Sequence, residues 1–178
     1  MVEHRTLVTA TSRPPVAPAR GVLHVHSVPR ALAPHVEWAV AAVIGRPTSL
    51  DWHPQPVCPG EVRAELAWTA PPGTAARLAS RLRTWRRLRA EVSEQASPGR
   101  EGERYALTPD LGIYRAVTGP NGDVQVTEER LRGALARAGG DGAALADQLD
   151  RLLGGPWDAE LEAFRAAGES VRWLHHTG

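Results

Sequence analysis

The apolar and polar positions of the first ninety-odd residues alternate between two periods. In "GVLHVHSV", Leu23 and Val25 point one way and Val22, His24, His26 and Val28 the other, the pattern of a half-buried strand starting at Gly21. Pro34 then fits a first helical turn. Val36, Ala39, Val40, Val43 and Ile44 follow at i, i+3, i+4, i+7, i+8 spacing, and Gly45 stops the helix. "TSLDWHP" sets Leu50 and Trp52 against Asp51 and His53. "EVRAELAW" sets Val62, Ala64, Leu66 and Trp68 against Glu61, Arg63, Glu65 and Ala67. Thr74 suits the cap of a second helix running through Trp85, with Ala75, Leu78, Ala79 and Leu82 inward. Leu88, Ala90 and Val92 alternate in a fourth strand.

This order, β-α-β-β-α-β, is the split βαβ or ferredoxin-like pattern, whose right-handed crossovers lay both helices on one face of the sheet. Beyond "SPGREGE", the segments "RYAL" and "GIYRAV" read as short strands, and "GPNGD" is an Asn-Gly turn into "VQV". Thr127 caps a helix to about Arg137, Ala143 to Leu153 forms another, Asp158 caps a third, and "SVRWLHH" reads as a closing strand. The expected architecture is α+β. A flexible arm covers 1–20, a ferredoxin-like unit 21–97, and a β-hairpin with a helical extension 98–178 packs on that unit, its helices being too short to stand alone.

Composition narrows the function classes. A formal net charge of +1 provides no overall field that would demand nucleic acid or a membrane as partner. All 21 basic residues are arginine and asparagine occurs only at Asn121, a usage that points to GC-rich coding and an actinobacterial source. The lone Cys58 permits no intrachain disulfide, and no long apolar run appears, so a cytoplasmic protein is expected.

Candidate chemistry gathers on the sheet face away from the helices, where His24, His26, Asp51, His53, Glu61, Arg63, Glu65, Arg87, Arg89 and Glu91 would lie. Imidazoles and carboxylates together are ordinary ligands for zinc or iron, yet charges paired across strands are equally ordinary on an antiparallel face. That face is also a floor onto which the C-terminal extension could fold, with partial cover. In "PHVEWAV", His35 and Glu37 diverge by about 200° around a helix and form no dyad. Glu37 is instead expected to favour the helix N-terminus and Trp38 to shield the edge of the core. "RLRTWRRLR" carries Arg81, Arg83 and Arg86 around Trp85. Arginine beside an aromatic ring suits phosphate or bases, but the run crosses a helix end and no RNA motif accompanies it, so an acidic protein helix fits better than nucleic acid.

The stretch "VHSVPRALAPHVEWA", with "DWHPQP", "SPGREGE" and "TPDLGIY", resembles an actinobacterial family known only as a domain of unknown function, from about Gly21 to His175. His26, His35, Glu37, Trp38, Trp52 and Gln55 match its pattern, whereas a histidine at position 24 departs from it. The resemblance carries no activity and implies a link to fatty-acid synthesis.

Together these features predict a non-enzymatic binding or regulatory module with no cofactor or metal, docking a protein or a small acidic ligand near the first strand-helix junction. His26, His35, Trp38, Trp52 and Gln55 would line the site and Arg81, Arg83 and Arg86 would form an anion-attracting rim suited to an acyl-carrier-like partner. A homodimer stays open. The alternative is a small enzyme, metal-assisted, using His24, His26, His53 and Glu65.

Overall fold

Alternating Val, Leu and Trp with charged residues favours pleated strands, and among the described residues seven of them form a single antiparallel sheet with five α-helices. The computed structural model describes residues 17–174. Its strands are β1 (Ala19–Pro29), β2 (His53–Pro54), β3 (Glu61–Ala70), β4 (Arg89–Glu94), β5 (Gly102–Thr108), β6 (Gly112–Thr118) and β7 (Val124–Gln125). The helices are α1 (Ala33–Ile44), α2 (Thr74–Leu82), α3 (Glu128–Ala138), α4 (Gly142–Leu153) and α5 (Gly155–Leu174). The sheet order is β2-β3-β1-β4-β5-β6-β7, so the hairpin strands β5 and β6 continue the layer begun by the first four.

Both α1 and α2 pack on one face. Their inward residues Val36, Val40, Leu78 and Leu82 join Leu23, Val25, Val62, Leu88 and Val92 in the main core. A Cβ at Gly21 would stand 2.0 Å from the Ser93 carbonyl oxygen and 2.2 Å from the Trp68 ring, so only glycine lets β4 and that indole approach β1 so closely. On the reverse face, α5 lies over the centre and far half of the sheet, where Leu161 closes a second core with Ala106, Tyr114 and Ala116. The two helical layers are therefore offset. They overlap across β1, β4 and β5, leaving the reverse of β3 open at Glu65, Ala67 and Thr69 and the front of β6 open at Ile113 and Arg115.

Several expectations change. The register of β1 shifts between Val25 and Ser27 on one side and between Val25 and Val28 on the other, a bulge that inserts an extra residue. It turns Val28 into the core, fully buried, instead of onto the histidine face. The strand also begins at Ala19, ahead of Gly21, while residues 1–16 of the expected arm lie outside the described residues. Helix α2 ends at Leu82, short of Trp85, because the Trp85 N–H turns back to the Leu82 carbonyl at 3.1 Å. Its N-terminus is not capped by the Thr74 side chain. Glu94, buried on β4, accepts from the Gly73 and Ala75 N–H groups at 2.8 and 3.0 Å, and its negative charge suits that helix end. The stretch read as a closing strand is helical through Leu174, because Pro156 starts α5 and nothing interrupts it; His175 and His176 lie outside the described residues. Asp158 sits in the first turn of α5 rather than at its cap.

Candidate functional site

Arg77, Ser80 and Arg81 of α2, with Thr84 just past its end, face the exposed side of α1, and between them runs an open groove of about 560 Å³. His35, Trp38 and Val43 form its α1 wall and Trp85 closes its end. Trp38 is 67% exposed, so its indole does not shield the core as expected. It stands edge-on to His35, ring centroids 5.0 Å apart at 77°. Arg77 reaches back to the Thr74 hydroxyl at 2.6 Å. Among the described residues no carboxylate lines the groove.

Of the eight residues singled out for binding, the groove thus gathers His35, Trp38 and Arg81. Arg83 leaves the other flank of α2 and lines a smaller depression of about 140 Å³ with Leu88, Leu107 and Ile113, again beside Trp85. Arg86 is exposed beyond the helix end. Trp52 and Gln55 serve the framework where they stand. The Trp52 indole N–H donates to Glu37 at 3.0 Å, and the same carboxylate oxygen accepts from the Leu50 N–H at 2.8 Å. Glu37 lies past the first turn of α1, so it tethers the 50–52 segment instead of favouring the helix N-terminus. Gln55, 2% exposed, donates to the His26 carbonyl at 2.6 Å and accepts from the Val57 N–H at 3.0 Å, so it braces the β1 bulge.

His26 belongs to an ion network on the opposite face. Its Nε2 lies 2.7 Å from a Glu91 oxygen, and Glu91 also accepts from Arg104 at 2.8 Å and from Arg165 of α5 at 2.8 and 2.9 Å. Asp158 of α5 also accepts from Arg104 and, at 2.6 Å, from Arg165, whose other terminal nitrogen faces Glu162. Arg89 completes the seam, bonding Glu160 at 3.1 Å with its guanidinium 4.6 Å from the centre of the Phe164 ring. Burial alone pushes the Glu91 carboxyl up. Hydrogen bonds from His26, Arg165 and Arg104, with the Arg165 charge, outweigh it and hold the group well below the usual carboxylate range. Burial and the same arginines act likewise on Asp158, whose net shift is also downward.

Of the residues of the enzymatic alternative, His24 neighbours both Glu65, at 3.7 Å, and His26, on whose ring it stacks with centroids 5.8 Å apart, while His26 is bonded to Glu91 and His53 stands apart, paired with Asp51 at 3.2 Å at the sheet rim. Among the described residues no group of three or more His, Cys, Asp or Glu is placed to hold a metal ion. Nor is any helix among them long and apolar enough to cross a membrane. Glu61, expected on the open face, is buried between the Ser27 hydroxyl and Arg87, which donates to it at 3.0 Å.

Arg77, which lines the groove but was not among the expected site residues, was within reach of the sequence, whereas Trp85 was read only as the end of the helix and the centre of the arginine run. Residues 77, 81 and 84 fall on one helical row beside the inward stripe. No curated protein and no solved structure matches the chain. One family does, over residues 22–176, and its description is "Protein of unknown function (DUF3145)". With that match covering most of its length, the chain belongs to the DUF3145 family.

Proposed function

We propose that the protein is a non-enzymatic docking module whose groove between α1 and α2 receives an acidic protein partner. A single observation carries this reading: a two-thirds exposed indole, Trp38, stands in a groove with Arg77, Arg81 and His35 and, among the described residues, no carboxylate. Exposed tryptophan and arginine are the side chains that most often anchor an interface, and a one-signed lining selects partners of opposite charge. The strand order β2-β3-β1-β4 with both helices on one face supports reading this half as a ferredoxin-like unit that presents the groove. An acyl-carrier-like protein, with an acidic recognition helix, suits such a site. The link to fatty-acid metabolism comes from the family resemblance alone. A small acidic ligand would fill less of so open a groove. The arginine-only basic complement and the lone cysteine support a cytoplasmic, actinobacterial setting.

The test compares proteins retained from native lysate by the wild-type chain, Trp38→Ala and the double variant Arg77→Glu, Arg81→Glu, followed by reconstitution with the purified partner. Support is an acidic protein that binds in purified form, loses affinity as salt is raised, and is lost to both variants. Identical capture by all three chains overturns the reading.

A further inference from the structure

The large groove and the small depression lie on opposite flanks of the C-terminal end of α2, and one residue, Trp85, lines both. Basic side chains stand on each flank, Arg77 and Arg81 one turn apart in the first and Arg83 in the second, and among the described residues neither lining contains a carboxylate. Each flank also ends on an exposed large apolar residue, Trp38 on α1 and Ile113, 40% exposed, on β6. Ile113 is open because the helical layers are offset, so that α2 stops short of the front of β6.

We infer that the partner element is an acidic amphipathic helix that crosses the end of α2, seating apolar side chains on both sides of Trp85 with its carboxylates over Arg81 and Arg83. This rests on the docking reading above and deepens it by specifying the shape of the partner. Three physical points favour a helix. Its apolar residues recur three and four apart on one face, about 5–6 Å between neighbours, which suits two depressions divided by a single ring. The groove walls are helices whose backbone groups bond internally, so an extended peptide would find no ladder to join there, whereas a helix arrives with its own backbone satisfied. Three carbonyls at the end of α2 are likewise taken: Ala79, Arg81 and Leu82 accept from the Arg83 N–H, the Thr84 hydroxyl and the Trp85 N–H at 2.9, 3.3 and 3.1 Å. Side chains therefore supply the recognition.

The test titrates the full-length chain calorimetrically with three synthetic sixteen-residue peptides. One has leucines at i, i+3, i+4 and i+7 flanked by glutamates, the second is its scramble, and the third carries a central proline. The expected result is binding of the first alone, weakened about tenfold or more by Arg81→Glu and, separately, by Arg83→Glu. Equal binding of the scrambled or proline peptide overturns the helical partner. Sensitivity to Arg81→Glu without sensitivity to Arg83→Glu overturns the crossing of Trp85 while leaving the groove reading intact. No binding of the first peptide at millimolar concentration also overturns the inference. The groove reading then stands or falls on the Trp38 and Arg77 variants with the native partner. Circular dichroism of each variant confirms that lost binding is not lost folding.

Discussion

Glu37 on α1 holds Trp52 at the sheet rim, accepting its indole N–H at 3.0 Å while taking the Leu50 N–H with the same oxygen. The carboxylate that sits between His35 and Trp38 in the chain therefore belongs to the framework, although both neighbours line the groove. Glu37→Gln keeps an acceptor and should cost under about 1 kcal/mol. Glu37→Ala leaves two donors without it and should cost about 1–3 kcal/mol. Urea denaturation measures both, and groove binding should be unchanged by the glutamine variant.

Gln55 gives a similar separation of framework from site. Gln55→Leu preserves bulk but strands the His26 carbonyl and the Val57 N–H, so a loss of about 1–3 kcal/mol is expected. Partner affinity should not change at temperatures where the variant is folded. An affinity loss with unaltered stability would make Gln55 a binding residue after all.

Acid should loosen the seam between α5 and the sheet. Glu91 and Asp158 are held below the ordinary carboxylate range when folded, so the unfolded chain takes up their protons first as the pH falls. Their contribution is fully present above about pH 5 and declines below it, through the range where free carboxylates titrate. Thermal melting between neutral pH and pH 3 should show this decline. Glu91→Gln should flatten it and lower stability at neutral pH by about 2 kcal/mol, less than the 3–5 kcal/mol of a fully buried pair because the network is partly solvated.

Gly154 joins α4 to α5 with φ of 95°, and a Cβ there would meet the Tyr114 ring at 2.7 Å. The Tyr114 hydroxyl donates to the Leu152 carbonyl at 2.9 Å, so the ring cannot readily give way. Gly154→Ala therefore meets both backbone strain and a clash, and should cost about 2 kcal/mol or more, near 4 °C in Tm for a chain of this size. Tyr114→Phe in the same background relieves none of the φ strain and should not restore the melting temperature.

Much of the first half was legible because its strands carry period-2 alternation with large apolar residues. Leu23, Val25, Val62, Leu66, Trp68, Leu88 and Val92 all reach the face they were expected on. Val28 did not, since one extra residue in a bulge reverses the parity of everything after it and leaves no mark in hydrophobicity. The end of α5 misled because "SVRWL" alternates over too few residues to distinguish a strand from the last turns of a helix. Of the residues expected to bind, Arg81, Trp38 and His35 come together because two helices share a face. Trp52 and Gln55 have local duties that composition cannot reveal, hydrogen bonds to partners 15 and 29 residues away. The ion seam was legible only by half. Glu91, His26 and Arg89 stood on a predicted face, but Asp158 and Arg165 could be paired with them only once the placement of α5 was known.

The offset of the two helical layers has a dynamic consequence. Among the described residues, β1, β4 and β5 are roofed on both sides, while β3 and β6 each have one side open to water and both residues of β2 are exposed. A molecule built this way unravels from its two rims toward the middle. In deuterated solvent the amides of Leu23, Val92 and Ala106 should therefore surrender their hydrogens last.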